Sequence, residues 1–97
     1  IDWVVVNLYP FREKLEELDD EAALLEFIDI GGPTMIRAAA KNFYDVAVVC
    51  DPGDYQWIQK ECAEHCFLSV ESRRYLAAKV FRLMSEYDAA IAEFLER

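Results

Sequence analysis

The chain has 97 residues, of which 55% are hydrophobic and 13% aromatic. That is enough to pack one small core and too apolar for a disordered chain. Nineteen acidic side chains against ten basic ones leave a net charge of −9, which excludes a general nucleic-acid binder and a protein drawn to anionic membrane by charge.

No apolar run approaches the roughly 20 residues of a membrane span, and no signal peptide is visible. Cys50, Cys62 and Cys66 are odd in number and lack the spacing of a disulfide framework. These features lead to the expectation of a reducing cytoplasm. The chain opens as Ile1-Asp2-Trp3-Val4-Val5-Val6-Asn7, without Met or a polar lead-in, so the expectation is a piece of a longer domain.

Trp3 to Val6 is a β-branched apolar run without alternation, the pattern of a strand covered on both faces in a parallel sheet. It ends at Asn7-Leu8-Tyr9-Pro10, where Pro10 has no N–H for a ladder. Phe11 to Leu18 is charged and irregular and reads as a loop or a loose helical turn. Asp19-Asp20 can cap a helix running to about Ile28, with Ala22, Ala23, Leu24, Leu25 and Ile28 on its apolar face.

Asp29-Ile30-Gly31-Gly32-Pro33-Thr34 breaks the pattern. Pro33 suits the first position of a helix that holds Met35, Ile36, Ala38, Ala39 and Ala40 and stops near Asn42. Val46 to Cys50 reads as a second buried strand. Asp51-Pro52 begins another helix, with Tyr55, Trp57, Ile58 and Cys62 on or near its buried side. Ser69 is a good N-cap for a last helix, along which Leu76, Val80, Leu83, Tyr87, Ile91 and Phe94 recur every three or four residues. The order implies a right-handed parallel crossover. Two strands alone make a poor sheet, so a partner chain or further chain is expected to extend it.

Ligands of open α/β sheets collect at the carboxyl ends of the strands, where Asn7 and Tyr9 fall. A tyrosine hydroxyl there could donate to a polarised oxygen or rest half-buried against the loop. The Gly31-Gly32 turn presents backbone N–H groups at a helix start, suited to a developing oxyanion or simply to chain geometry. Arg37 and Lys41, four apart on one helix face, could supply a local positive field or form a solvated basic stripe. Arg73-Arg74, early in the last helix, suit a structural role, with Glu71 or Asp54 as a partner. Cys62, His65 and Cys66 share a helix edge too crowded for three convergent metal ligands.

These residues carry a family resemblance. Val5-Val6-Asn7-Leu8-Tyr9-Pro10-Phe11, Ile28 through Asn42 (IDIGGPTMIRAAAKN), Val48 through Tyr55, Leu68 through Ala77 and Tyr87 through Ile91 resemble, in order and spacing, the bifunctional purine-biosynthesis family AICAR transformylase/IMP cyclohydrolase. The resemblance covers essentially the whole chain and implies the latter part, residues 1–97, of a cyclohydrolase domain. Its fold class would be α/β, a partial methylglyoxal-synthase-like parallel-sheet domain with two strands and about four helices.

The implied reaction closes the purine ring of formylated AICAR ribotide to give IMP and water, with no organic cofactor or metal. The resemblance assigns Tyr9, Asp29 and Lys41 to catalysis and Asn7, Gly31, Gly32 and Arg37 to substrate binding. The family's upstream phosphate-binding segments do not occur in these residues, nor does its transformylase domain, which alone uses 10-formyltetrahydrofolate. The 97 residues are therefore expected to be inactive alone, and the full-length enzyme to be a cytoplasmic homodimer with no nucleic-acid or membrane partner. The alternative is a methylglyoxal-synthase-like allosteric module that binds a phosphorylated effector, which would have no need of Tyr9, Asp29 and Lys41 together.

Overall fold

A computed structural model describes residues 2–8 and 10–97. Strand β1 (Asp2–Val5) pairs in parallel with β2 (Val46–Val49), in a register that sets Asp2 beside Val46 and Val5 beside Val49. The ladder runs one bond further, from the Val6 N–H to the Val49 carbonyl at 2.9 Å. Between the strands lie α1 (Phe11–Glu17), α2 (Glu21–Glu26) and α3 (Gly31–Lys41). After β2 come a 3-10 turn (Pro52–Asp54), α4 (Tyr55–His65) and the long α5 (Val70–Leu95). The expected α/β class holds, with two parallel strands and five α-helices among the described residues, an arrangement consistent with part of a methylglyoxal-synthase-like domain.

Local chemistry accounts for most boundaries. The Asp20 carboxylate accepts from the Ala22 N–H and starts α2. Ser69 Oγ accepts from the Ser72 N–H and starts α5, where Glu61 braces the joint by accepting from the Ser69 N–H and the Ser72 hydroxyl. These bonds to its charged form hold the Glu61 carboxyl below its ordinary range.

Two expectations are corrected. The segment read as a loop or loose turn after Pro10 is the helix α1. Phe11 anchors it in the core, with ring centroids 6.4 Å from Tyr87 and 5.7 Å from Phe94, both edge-on, and this burial outweighs a weak local pattern. Helix α3 begins at Gly31, two residues before Pro33, because Asp29 rather than the proline initiates it.

The core lies between β2, α3 and α5. Ala47, Val48 and Val49 of β2 are buried on both faces, with Ile36, Ala39 and Ala40 of α3 and Leu76, Val80, Met84, Tyr87 and Phe94 of α5 among their fellow core residues. Contacts of α3 run from Asp29 beside Tyr87, through Arg37 over Phe81, to Phe43 beside Arg73. The two helices are therefore antiparallel.

Strand β1 does not meet the expectation of cover on both faces. Val4 packs inward beside Val48, whereas Trp3 and Val5 remain 46% and 54% exposed. The apolar run is there, but its second face is only partly covered. The Cα radius of gyration, 15.4 Å, exceeds the about 13 Å of a self-contained domain this size, because α5, about 39 Å long at 1.5 Å per residue, outreaches the two-stranded sheet.

Candidate functional site

The parallel sheet sends Asn7 and Leu8 off the carboxyl end of β1. Since α3 leads directly into β2 through a tight turn, its N-terminus returns to that same end. Leu8 and the first turn of α3 meet there: a Cβ on Gly32 would sit 2.9 Å from Leu8 Cδ2 and 2.6 Å from Asp29 Oδ2. A side chain at position 32 would therefore displace the Asp29 carboxylate or Leu8, although the backbone there has no positive φ. Gly31 has nothing within 4 Å of such a Cβ and is exposed.

The accounting of backbone donors at this helix start is informative. The Gly32 N–H donates to Asp29 Oδ1 at 2.9 Å. Pro33 has none to give, and the Thr34 N–H donates to the Ile30 carbonyl at 3.1 Å. The Gly31 N–H is left without a partner among the described residues, in an exposed residue at the positive end of the helix dipole. Of the two glycine donors expected to serve a ligand, one is therefore committed to the cap and one is available.

Asp29 is held from both ends. Its carboxylate caps α3, while its own N–H donates to the Tyr87 hydroxyl at 2.9 Å. Asn7 is also oriented: its Nδ2 donates to the Tyr55 hydroxyl at 3.3 Å, so the first residue of α4 reaches the same end of the sheet. Sequence reasoning placed Tyr55 near the buried side of its helix, but it is 37% exposed. Its aromatic character pointed inward, and only the fold shows its hydroxyl at the strand end. Tyr9 lies outside the described residues.

Lys41 does not join this group. It is the last residue of α3, ten positions from Gly31, hence about 15 Å along the axis and toward the opposite end of the sheet. Within this chain Lys41 therefore stands apart from Asp29 and the diglycine bend, because a short sequence motif drawn out as a helix separates its ends. Arg37 lies between, exposed, its guanidinium 5.5 Å from the Phe81 ring centroid.

The remaining candidates are structural. Arg73 is buried and donates to the carbonyls of Phe43 (2.8 Å), Leu68 (2.6 Å) and Tyr44 (3.0 Å), tying the α3–β2 turn to α5. Its partners are carbonyls, not the expected Glu71 or Asp54. Asp54 instead takes Lys79 Nζ at 2.9 Å and the Trp57 indole N–H at 2.9 Å, while Lys79 also reaches Asp51 at 2.8 Å. The two carboxylates raise the Lys79 ammonium above its ordinary range, and Lys79 together with the Gly53 N–H lowers the Asp51 carboxyl. Burial pushes the neighbouring Cys50 thiol up. This cluster fastens α5 to the end of β2, and no sequence signal linked Lys79 to a pair 25 residues upstream. Among the described residues no group of three or more His, Cys, Asp or Glu side chains is arranged around a common point for a metal ion.

A crossover helix whose start returns to the carboxyl ends of parallel strands marks part of an α/β protein, the class in which ligands commonly collect at that edge. The family model described as AICARFT/IMPCHase bienzyme matches residues 39–97, and the chain belongs to that family.

The chain is 58% identical over 95 residues to the bifunctional purine biosynthesis protein PurH of Clostridium perfringens (strain SM101), and equally so to that of Clostridium botulinum (strain Hall). These matches take in 98% of this chain and include the candidate site, which lies ahead of the family-model match. The chain spans 19% of the length of these relatives. Among solved structures, that of ForH superposes with a TM-score of 0.80 at 39% identity, over 98% of this chain and 50% of that one. No helix among the described residues is long and apolar enough to cross a membrane.

Proposed function

We propose that this chain supplies the ring-closing edge of an IMP cyclohydrolase within a bifunctional purine-biosynthesis enzyme. The substrate would be formylated AICAR ribotide, and the products IMP and water. The carboxamide nitrogen attacks the formyl carbon, a C–N bond forms, and the carbonyl electron pair moves to oxygen. Loss of that oxygen as water then completes the purine ring. Such a reaction needs orientation and stabilisation of a developing oxyanion more than a strong nucleophile.

The observation that carries the reading is the asymmetric use of the diglycine turn. Asp29 is fixed by the Gly32 N–H and the Tyr87 hydroxyl, and the Gly31 N–H beside it has no partner among the described residues. In this reading Asp29 orients the amide and takes its proton, the Gly31 N–H donates to the formyl oxygen, and Asn7 positions the base from the strand end. Tyr9, two residues along the sequence from Asn7, is assigned to donate to the reacting oxygen. No cofactor or metal takes part, and 10-formyltetrahydrofolate belongs to the transformylase activity, to which none of these residues is assigned. Arg37 supports the anionic substrate only at longer range, and Lys41 does not touch it within this chain.

The phosphate grip would come from segments not among these 97 residues, within a cytoplasmic homodimer. The test is turnover of the formylated ribotide by a PurH-length protein carrying this chain and by the 97 residues alone. Asp29→Ala is expected to lower kcat of the long form about a hundredfold, and the short form to be inactive. An unaffected Asp29→Ala enzyme would refute the assignment. An active 97-residue chain would refute the need for further segments.

A further inference from the structure

We propose that Tyr87 is a positioning residue for Asp29, a role that rests on the proposed ring-closing function of that carboxylate. Tyr87 belongs to α5 and is 58 residues away from Asp29 in the chain, yet its hydroxyl accepts the Asp29 N–H at 2.9 Å. The same hydroxyl donates to the Phe27 carbonyl at 3.5 Å, a long bond that closes the other side of the turn. Phe27 is the C-cap of α2, and α3 starts at Gly31. One phenol therefore spans from the end of α2 to Asp29 in the middle of the short connection.

The phenol itself is not free to wander. Tyr87 is 6% exposed, and Phe11 of α1 packs against its ring edge-on. A cavity of about 110 Å³ beside it, lined by Pro10, Phe11, Leu83 and Ala90 among others, is mostly apolar.

A side chain needed only for packing at this place could be phenylalanine. The hydroxyl adds a bond to the backbone of the one carboxylate that also caps α3. The backbone of Asp29 is thus held by Tyr87 and its Oδ1 by the Gly32 N–H, which leaves Oδ2 as the carboxylate oxygen not engaged by these two bonds. Tyr87 acts through Asp29 and does not touch the substrate.

Tyr87→Phe keeps the ring and its contact with Phe11 and removes only the hydroxyl. In the 97-residue chain, the Asp29 amide of this variant is expected to exchange about tenfold faster, with the amides of α5 unchanged. In the PurH-length protein, kcat for ring closure is expected to fall about tenfold with KM moved less than about twofold. Asp29→Ala combined with Tyr87→Phe is expected to be no worse than Asp29→Ala alone.

If Asp29→Ala impairs turnover while Tyr87→Phe does not, the positioning role is overturned and the assigned chemistry survives. If Tyr87→Phe and Asp29→Ala lower kcat independently and multiply, Tyr87 acts by another route and the proposal also falls. If Asp29→Ala is harmless, the catalytic reading fails. Amide exchange then decides on Tyr87 alone, and an unchanged Asp29 amide would overturn it.

Discussion

Gly32→Ala sets the shape of the site against the stability of the fold. The new Cβ would lie 2.6 Å from Asp29 Oδ2 and 2.9 Å from Leu8 Cδ2. Ordinary contact begins at 3.4 Å, so the carboxylate must retreat by roughly 0.8 Å or rotate off the Gly32 N–H. Losing the cap would cost about 1 kcal/mol. Alanine in place of glycine within a helix returns most of that, up to about 1 kcal/mol. The net change in stability is therefore small, and the melting temperature should move by no more than about 5 °C.

Catalysis has no such compensation, because a displacement near 1 Å can cost about a hundredfold in rate. Gly31→Ala is the control. Its Cβ meets nothing within 4 Å, so it should leave the fold as stable or slightly more so. Any loss of rate in that variant then reports the approach of substrate to the Gly31 N–H. The assays are thermal unfolding of the 97-residue chain and ring-closure kinetics of the PurH-length protein. Full kcat in Gly32→Ala, with the fold intact, would refute the claim that the position of the Asp29 carboxylate governs the reaction.

Other perturbations probe separate parts of the account. Arg73→Leu should destabilise the chain by about 3 kcal/mol in denaturant unfolding, because three carbonyls lose a charged donor. Lys41→Ala should change kcat less than about threefold in the PurH-length protein, and a larger loss would mean that Lys41 serves a site completed by another segment or chain.

Asp51 and Glu61 have folded-state carboxyls below their ordinary values of 3.8 and 4.5. They stabilise the fold above those values, and that contribution is lost as pH falls below about 4.5. Lys79 is raised above 10.5 and Cys50 above 9.0, so stability should also decline as pH rises past 9. Denaturant midpoints measured from pH 3 to 11 should form a plateau between these limits. Lys79→Met should flatten the acid limb due to Asp51.

Much of the fold was legible where one short-range cause decides the outcome. Asp20 and Ser69 act as the caps their chemistry suggests. Strand β2 is a continuous apolar run because both its faces are covered, and the apolar stripe of α5 follows from burial along one side of a helix. What was not legible depends on partners distant in sequence. Helix α1 has a single deep anchor, Phe11, whose burial is decided by Tyr87 and Phe94 on α5.

Strand β1 has the composition of a covered strand, but composition does not say what covers it, and Trp3 and Val5 stand open.

That Asn7 falls at a strand end and Gly31-Gly32 at a helix start was legible from the parallel crossover, whereas Asp29 entered through the family resemblance. The separation of Lys41 from Asp29 within this chain was not legible, because closeness within a motif says little about closeness in space once the motif is a helix of three turns. The division of labour between Gly31 and Gly32 was also hidden, since it depends on which N–H the Asp29 carboxylate takes. Tyr87 read as one more core position in an apolar stripe, and nothing in its spacing announced the bond to Asp29.

The most direct measurement is a structure of the PurH-length protein carrying this chain, with IMP bound. The account predicts the purine ring at the carboxyl end of β1, with the Gly31 N–H and Asp29 within hydrogen-bond distance of its newly closed part and Asn7 alongside. A purine seated instead against Arg37 and Lys41, or between α4 and α5, would contradict it.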